Sequence, residues 1–187
     1  KTHEIAAMGL VRTFQRTSLF TNETTFDNVL TGLHLQGKAS FLGTILSLPS
    51  MRREEESLRE QAWELLEFVG LSHRADEQSG SLAYGEQRLL GVAIAMAAKA
   101  KLLLLDEPAA GMNSAETHVF MEILAKIRKR GISILLVEHD MPLVMGVSAR
   151  AIVLNYGKII ANGTPQEVQN NPDVIEAYLG QGVKQHA

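Results

Sequence analysis

The spacing of apolar and polar positions divides the chain into two parts with different periods. From Met51 to Val69, apolar residues fall at Leu58, Trp63, Leu65, Leu66 and Val69 on a charged background. That is the spacing of a helix with one buried stripe. The run Arg52-Arg53-Glu54-Glu55-Glu56 reads as its solvated first turns. A turn at Ser79-Gly80-Ser81 leads into a long apolar helix over about Tyr84 to Lys99. Beyond it the pattern changes. Leu102–Leu105 and Ile132–Val137 are short apolar runs, as expected of buried parallel strands. An amphipathic helix over Ser114–Lys129, ended by Arg130-Gly131, separates them, and a short helix over Met141–Ser148 follows. Ala151–Leu154 and Lys158–Ala161 flank Asn155-Tyr156-Gly157 as a hairpin, and short helices at Gln166–Gln169 and Asp173–Leu179 close the pattern. The first 30 residues read as irregular structure ending in a short helix near Thr25–Leu30. Leu33 to Ser50 is a soft stretch with Gly37, Gly43 and Pro49. The expectation is a mainly helical segment before Gly80 and an α/β second half.

Composition narrows the choices. A chain of 187 residues suits one domain with room for a small subdomain, and 45% apolar residues suffice for a sizeable core. Eighteen Lys and Arg against 21 Asp and Glu give a net charge of −3, with no long basic run. Nucleic acid is therefore not an expected partner. With no cysteine, disulfides, thiolate chemistry and Cys-type zinc sites are excluded. The longest apolar stretch, Leu89 to Ala98, stops at Lys99, well short of the roughly 18 residues a membrane span needs. The opening Lys1-Thr2-His3-Glu4 does not resemble a signal peptide. Work at a membrane would be peripheral.

Four short segments carry candidate chemistry. Leu102-Leu103-Leu104-Leu105-Asp106-Glu107-Pro108 puts two carboxylates at the C-terminal tip of a buried strand, where ligands of α/β sheets bind. Adjacent acids there suit nucleotide hydrolysis, one organising Mg²⁺ and the next accepting a proton from water. Equally, Asp-Glu-Pro is a plain entry to the following helix. Leu82-Ala83-Tyr84-Gly85-Glu86-Gln87 opens a helix whose N–H groups and dipole suit phosphate, with Gly85 permitting close approach. An ordinary helix start explains it as well. Val137-Glu138-His139-Asp140 ends the second strand, and His139 there is either within reach of a terminal phosphate or simply exposed. Thr13-Phe14-Gln15, before Leu19-Phe20, places a glutamine in an otherwise apolar loop.

The order and spacing of these segments resemble those of the ABC-transporter ATPases, over nearly the whole chain. Ala109-Ala110-Gly111-Met112-Asn113 is similar to the D-loop form common in branched-chain amino acid importers, the LivG-type branch. Val137 to Met141, Leu143 to Gly146, Leu154 to Lys158, Asn162 to Pro165 and the tail Asn171 to Gly180 extend the likeness. The resemblance implies an incomplete P-loop (RecA-like) α/β core over about 100–187, with an α-helical signature subdomain over about 21–83. It implies that Gln15 contacts Mg²⁺ or the attacking water, that Asp106 holds Mg²⁺, that Glu107 is the general base and that His139 touches the γ-phosphate. Ala83, Tyr84, Gly85 and Glu86 would close over ATP on an opposing subunit, with Asn113 completing the dimer face. Implied partners are a second ATPase subunit in a head-to-tail dimer, transmembrane permease subunits and, indirectly, a periplasmic solute-binding protein. The implied location is the cytoplasmic face of the plasma membrane.

The resemblance has one large departure. The family's Walker A loop, G-x-x-x-x-G-K-[ST], belongs some tens of residues before Gln15, and only 14 residues precede it here. The expectation is a chain lacking that loop, with weak ATP binding, negligible hydrolysis and an open edge beside Ile132–Val137. Gly32-Leu33-His34-Leu35-Gln36-Gly37-Lys38-Ala39 fits G-x-x-x-x-G-K but ends in Ala39, which cannot ligate Mg²⁺, and reads as coincidence. Ala83 stands where most of the superfamily has serine, and Ile94 where arginine is usual. Rival readings are a lipopolysaccharide-export ATPase of the same fold and a non-hydrolysing interaction module.

Overall fold

The structure, a computed structural model, describes residues 2–13, 19–33 and 49–183. The chain forms two compact units, Lys1–Val137 and Glu138–Ala187. In the first, α1 (Thr2–Ala7), β1 (Leu10–Arg12), α2 (Thr25–Leu33), α3 (Pro49–Val69), α4 (Tyr84–Ala97), β2 (Leu102–Asp106), α5 (Ser114–Lys129) and β3 (Ser133–Val137) follow in order. Helix α1 and strand β1 replace the irregular structure expected at the start. Three residues ending in an arginine are too short a run for any period to declare itself.

The strands form a parallel sheet in the order β1-β2-β3, with Arg12 opposite Leu104 and Asp106 opposite Val137. Central β2 buries Leu103 and Leu105 almost completely. Strand β3 departs from expectation: none of its five residues is fully buried, and Leu135 and Val137 are 58% and 57% exposed. Among the described residues it is hydrogen-bonded to a strand on one side only, so its apolar composition does not translate into burial.

Helices α2, α3 and α4 pack together around Phe26, Val29, Leu33, Ala62, Leu66, Val69 and Leu90. Helix α2 starts with a reciprocal cap: Thr24 Oγ1 accepts the Asp27 N–H at 3.0 Å and donates to Asp27 Oδ2 at 2.6 Å. Gly32 lies inside this helix, and a Cβ there would meet the Ile94 carbonyl oxygen at 3.0 Å and Cγ2 at 3.2 Å. The first glycine of the Walker-like run is thus a helix-packing glycine. The rest of that run, residues 34–39, lies outside the described residues. Ile94 supplies this contact from α4.

The second unit holds α6 (Met141–Val147), the antiparallel hairpin of β4 (Ala151–Asn155) and β5 (Lys158–Gly163), α7 (Pro165–Gln169) and α8 (Pro172–Val183). Tyr156 and Gly157 turn the hairpin with φ of +46° and +77°, the two left-handed residues of a type I′ turn. One face packs Ala151 and Ala161 on Val168 and Val174, while Ile152, Leu154 and Ile159 stay exposed on the other.

Candidate functional site

Both acids of the Asp106-Glu107 pair sit at the C-terminal end of β2. Asp106 is the last strand residue. Glu107 leaves the strand in the left-handed region, with φ +44°, while its N–H donates to the Val137 carbonyl at 2.8 Å. Left-handed backbone is costly for a glutamate, and more so before proline. Such residues persist where surrounding structure over-determines them, commonly at functional sites. Asp106 Oδ2 accepts a 2.9 Å hydrogen bond from an Arg12 Nη. Arg12 lies opposite Leu104, so Asp106, two residues on, shares its face of the sheet. The Thr13 N–H continues the ladder to the Leu104 carbonyl at 3.0 Å and holds Arg12 beside β2.

The start of α4 and the loop before α5 are packed against each other. Gly85 is buried, and a Cβ there would meet the Glu116 carboxyl at 2.9 Å. A Cβ on Gly111, which has φ +84°, would come within 3.1 Å of the Tyr84 ring. Close packing on α5 is therefore a second reason for glycine at position 85, beside the phosphate approach read from the sequence. Ala83 offers no side-chain acceptor to the first turn of α4. Its own N–H is taken by Glu86 Oε2 at 3.0 Å, while Glu86 Oε1 lies 3.4 Å from Arg74 Nε. Arg74 also pairs with Glu77 at 2.7 Å, and these carboxylates hold its guanidinium above the usual arginine pKa, Glu77 most. Asn113 caps α5: Oδ1 accepts from the N–H groups of Ala115 and Glu116 at 2.9 and 3.0 Å. Glu116 Oε2 returns a bond to the Asn113 N–H at 2.8 Å.

His139 lies at the start of the second unit with 73% of its side chain exposed. The side chain of its neighbour Glu138 is 1% exposed, and Glu138 Oε2 accepts the His139 N–H at 3.0 Å, which shapes this turn. Asp140 caps α6 through the Leu143 N–H at 2.8 Å. Gln15 lies outside the described residues.

Some residues that shape the site have no obvious local signal. Arg12 is one. Buried Asn28 is another: its Nδ2 donates to the Phe20 and Thr24 carbonyls and to Ser79 Oγ, and its Oδ1 accepts the Phe20 N–H at 2.9 Å. It ties the loop after position 18 to the lead-in of α4. A recess of about 310 Å³ lies elsewhere, lined by Glu64, Glu67, Phe68, Lys126 and Arg130, and none of the candidate site residues lines it.

Among the described residues no group of three or more His, Cys, Asp and Glu could enclose a metal ion. Mg²⁺ keeps several waters and takes one or two protein carboxylates plus substrate phosphates. Asp106 fits that role: its carboxylate is 36% exposed at a strand tip and already engages a cation, the Arg12 guanidinium.

Residues 1–110 match the family described as ABC transporter, and residues 158–184 match that of the branched-chain amino acid ATP-binding cassette transporter. The chain is 46% identical over 179 residues to the high-affinity branched-chain amino acid transport ATP-binding protein LivG of Escherichia coli K12. That alignment covers 95% of this chain and 70% of the relative. Identity to BraF of Pseudomonas aeruginosa, which carries the same description, is 43%, covering 96% and 71%. Among solved structures, the ADP conformation of MJ1267, an ATP-binding cassette of an ABC transporter, aligns with a TM-score of 0.76 at 30% identity. It covers 95% of this chain and 70% of that one.

Proposed function

The chain belongs to the ABC-transporter family of ATP-binding proteins, and from that premise we propose that it energises import of branched-chain or related amino acids. The match of residues 158–184 to the branched-chain group carries the choice of solute class. It favours the amino acid branch over a lipopolysaccharide exporter. Residues 21–83 act as the helical subdomain and 100–187 as the α/β core. The subunit works at the cytoplasmic face of the plasma membrane, where no membrane span is needed; no helix of the described residues is long and apolar enough to cross one. Its partners are permease subunits, a second ATPase in head-to-tail arrangement and, through the permease, a solute-binding protein.

The strand-tip acids supply the chemistry. Mg²⁺ bound with ATP would neutralise charge on the phosphates. Asp106 would hold that ion. Glu107, turned out of the strand by its left-handed backbone, accepts the proton of the attacking water. His139 contacts the γ-phosphate, and Gln15 orients the water or the ion. Ala83 to Glu86 approach ATP on the opposing subunit from the start of α4, where the helix dipole favours the phosphates in place of the missing serine hydroxyl. Asn113 contributes to the dimer face.

Glu107→Gln in the ATPase assembled with its permease tests this reading. Turnover should fall by at least about 10²-fold while ATP binding persists, and near-normal turnover would overturn the assignment. The 187 residues contain no complete G-x-x-x-x-G-K-[ST] run. Most phosphate contacts in P-loop enzymes come from that loop. This chain alone therefore binds ATP weakly and hydrolyses it negligibly, and micromolar affinity by calorimetry would refute that.

A further inference from the structure

We propose that Arg12 is a built-in competitor for the divalent cation: its guanidinium neutralises Asp106 in the metal-free chain and must leave before the carboxylate can serve a metal. This rests on the reading of Asp106 as the Mg²⁺ carboxylate. Arg12 and Asp106 are 94 residues apart in sequence, and parallel pairing of β1 with β2 brings them together. Arg12 faces Leu104, so Asp106 is its diagonal neighbour on the same face, within reach of a long side chain. The resulting contact is a charge-assisted hydrogen bond of 2.9 Å.

The geometry makes the pair displaceable. Side-chain exposure is 55% for Arg12 and 36% for Asp106, so water and salt screen the attraction. An exposed ion pair contributes little, enough to weaken a competing cation at the same oxygen by about two- to fivefold. A guanidinium left beside a bound divalent ion would also repel it. Arg12 thus holds the Asp106 carboxylate oriented without metal, and sets how much metal is needed to take it.

The test uses the ¹⁵N-labelled 187-residue chain and Mn²⁺ as the paramagnetic probe. Its readout is the Mn²⁺ concentration that half-broadens the amide signals of Thr13 and Glu107, on either side of the pair. Arg12→Gln should lower that concentration about two- to fivefold, Arg12→Lys should lower it less, and Asp106→Asn should abolish local broadening in either background. Unchanged spectra elsewhere establish that the variants fold. If Asp106→Asn abolishes broadening but Arg12→Gln matches the wild type, the role of Arg12 is overturned while Asp106 stands. If Asp106→Asn changes nothing, or no variant is broadened locally, both assignments fall.

Discussion

Replacing Glu107 by glycine should leave the protein more stable than replacing it by alanine, although both changes remove the same carboxylate. Glu107 has φ +44° and precedes a proline. The left-handed region costs a residue with a Cβ roughly 1–2 kcal/mol, and glycine essentially nothing. Glycine also loosens the unfolded chain, which returns about 0.4–1 kcal/mol of that advantage. The expected balance is about 0.5–1 kcal/mol in favour of Glu107→Gly. Any bond made by the native carboxylate is lost in both variants and cancels. Urea unfolding reads the difference directly. With a slope of about 2 kcal/mol/M, the glycine variant should unfold at a midpoint about 0.3–0.5 M higher. Glu107→Gln keeps the strained backbone and a side chain of similar size, so it tests the proton-accepting role without the backbone effect. Equal midpoints for Gly and Ala, or a higher one for Ala, would refute the strain. The left-handed turn would then no longer serve as a functional signal at this residue.

Two further outcomes are expected. The carboxyl of Glu167 is held below its usual value of 4.5, chiefly by the backbone N–H of Thr164 at 2.7 Å. Its ionised form therefore stabilises the fold above about that pH, and the contribution disappears as pH falls through the depressed folded value. A ¹³C titration should place its midpoint below 4.5, and a midpoint at or above 4.5 would contradict the bond. Among the described residues Ser133–Val137 is an edge strand, it has no charge, proline or glycine, and Leu135 and Val137 lie open on it. Such edges pair with other chains, so the 187-residue chain should self-associate in light scattering and Leu135→Lys should reduce this. A wild-type chain that remains monomeric as concentration rises would refute it.

What the sequence disclosed, and what it did not, follows from the range of the interactions involved. Leu102 to Glu107 is legible because an apolar run and the acids ending it are contiguous, and the strand places them with no help from elsewhere. The extent of α5 is equally local: Asn113 and Glu116 cap it three residues apart, and it ends at Lys129, as its pattern implies. The hairpin turn at Tyr156-Gly157 needs only its own two residues. Strand β3 shows the limit of such reasoning. Its apolar residues state what could be buried, whereas burial depends on a neighbouring strand that composition cannot supply. The Arg12–Asp106 pair and the contacts of Asn28 with Ser79 lie further out of reach, at separations of 94 and 51 residues. An arginine ending a three-residue strand carries no mark of its partner until the register of β1 on β2 is known. The two strand-tip acids could therefore be picked out from local pattern, but the charge that attends one of them could not. Register decides that Arg12 meets Asp106 rather than solvent. A one-residue slip of β1 would turn the guanidinium to the opposite face and leave the carboxylate without it.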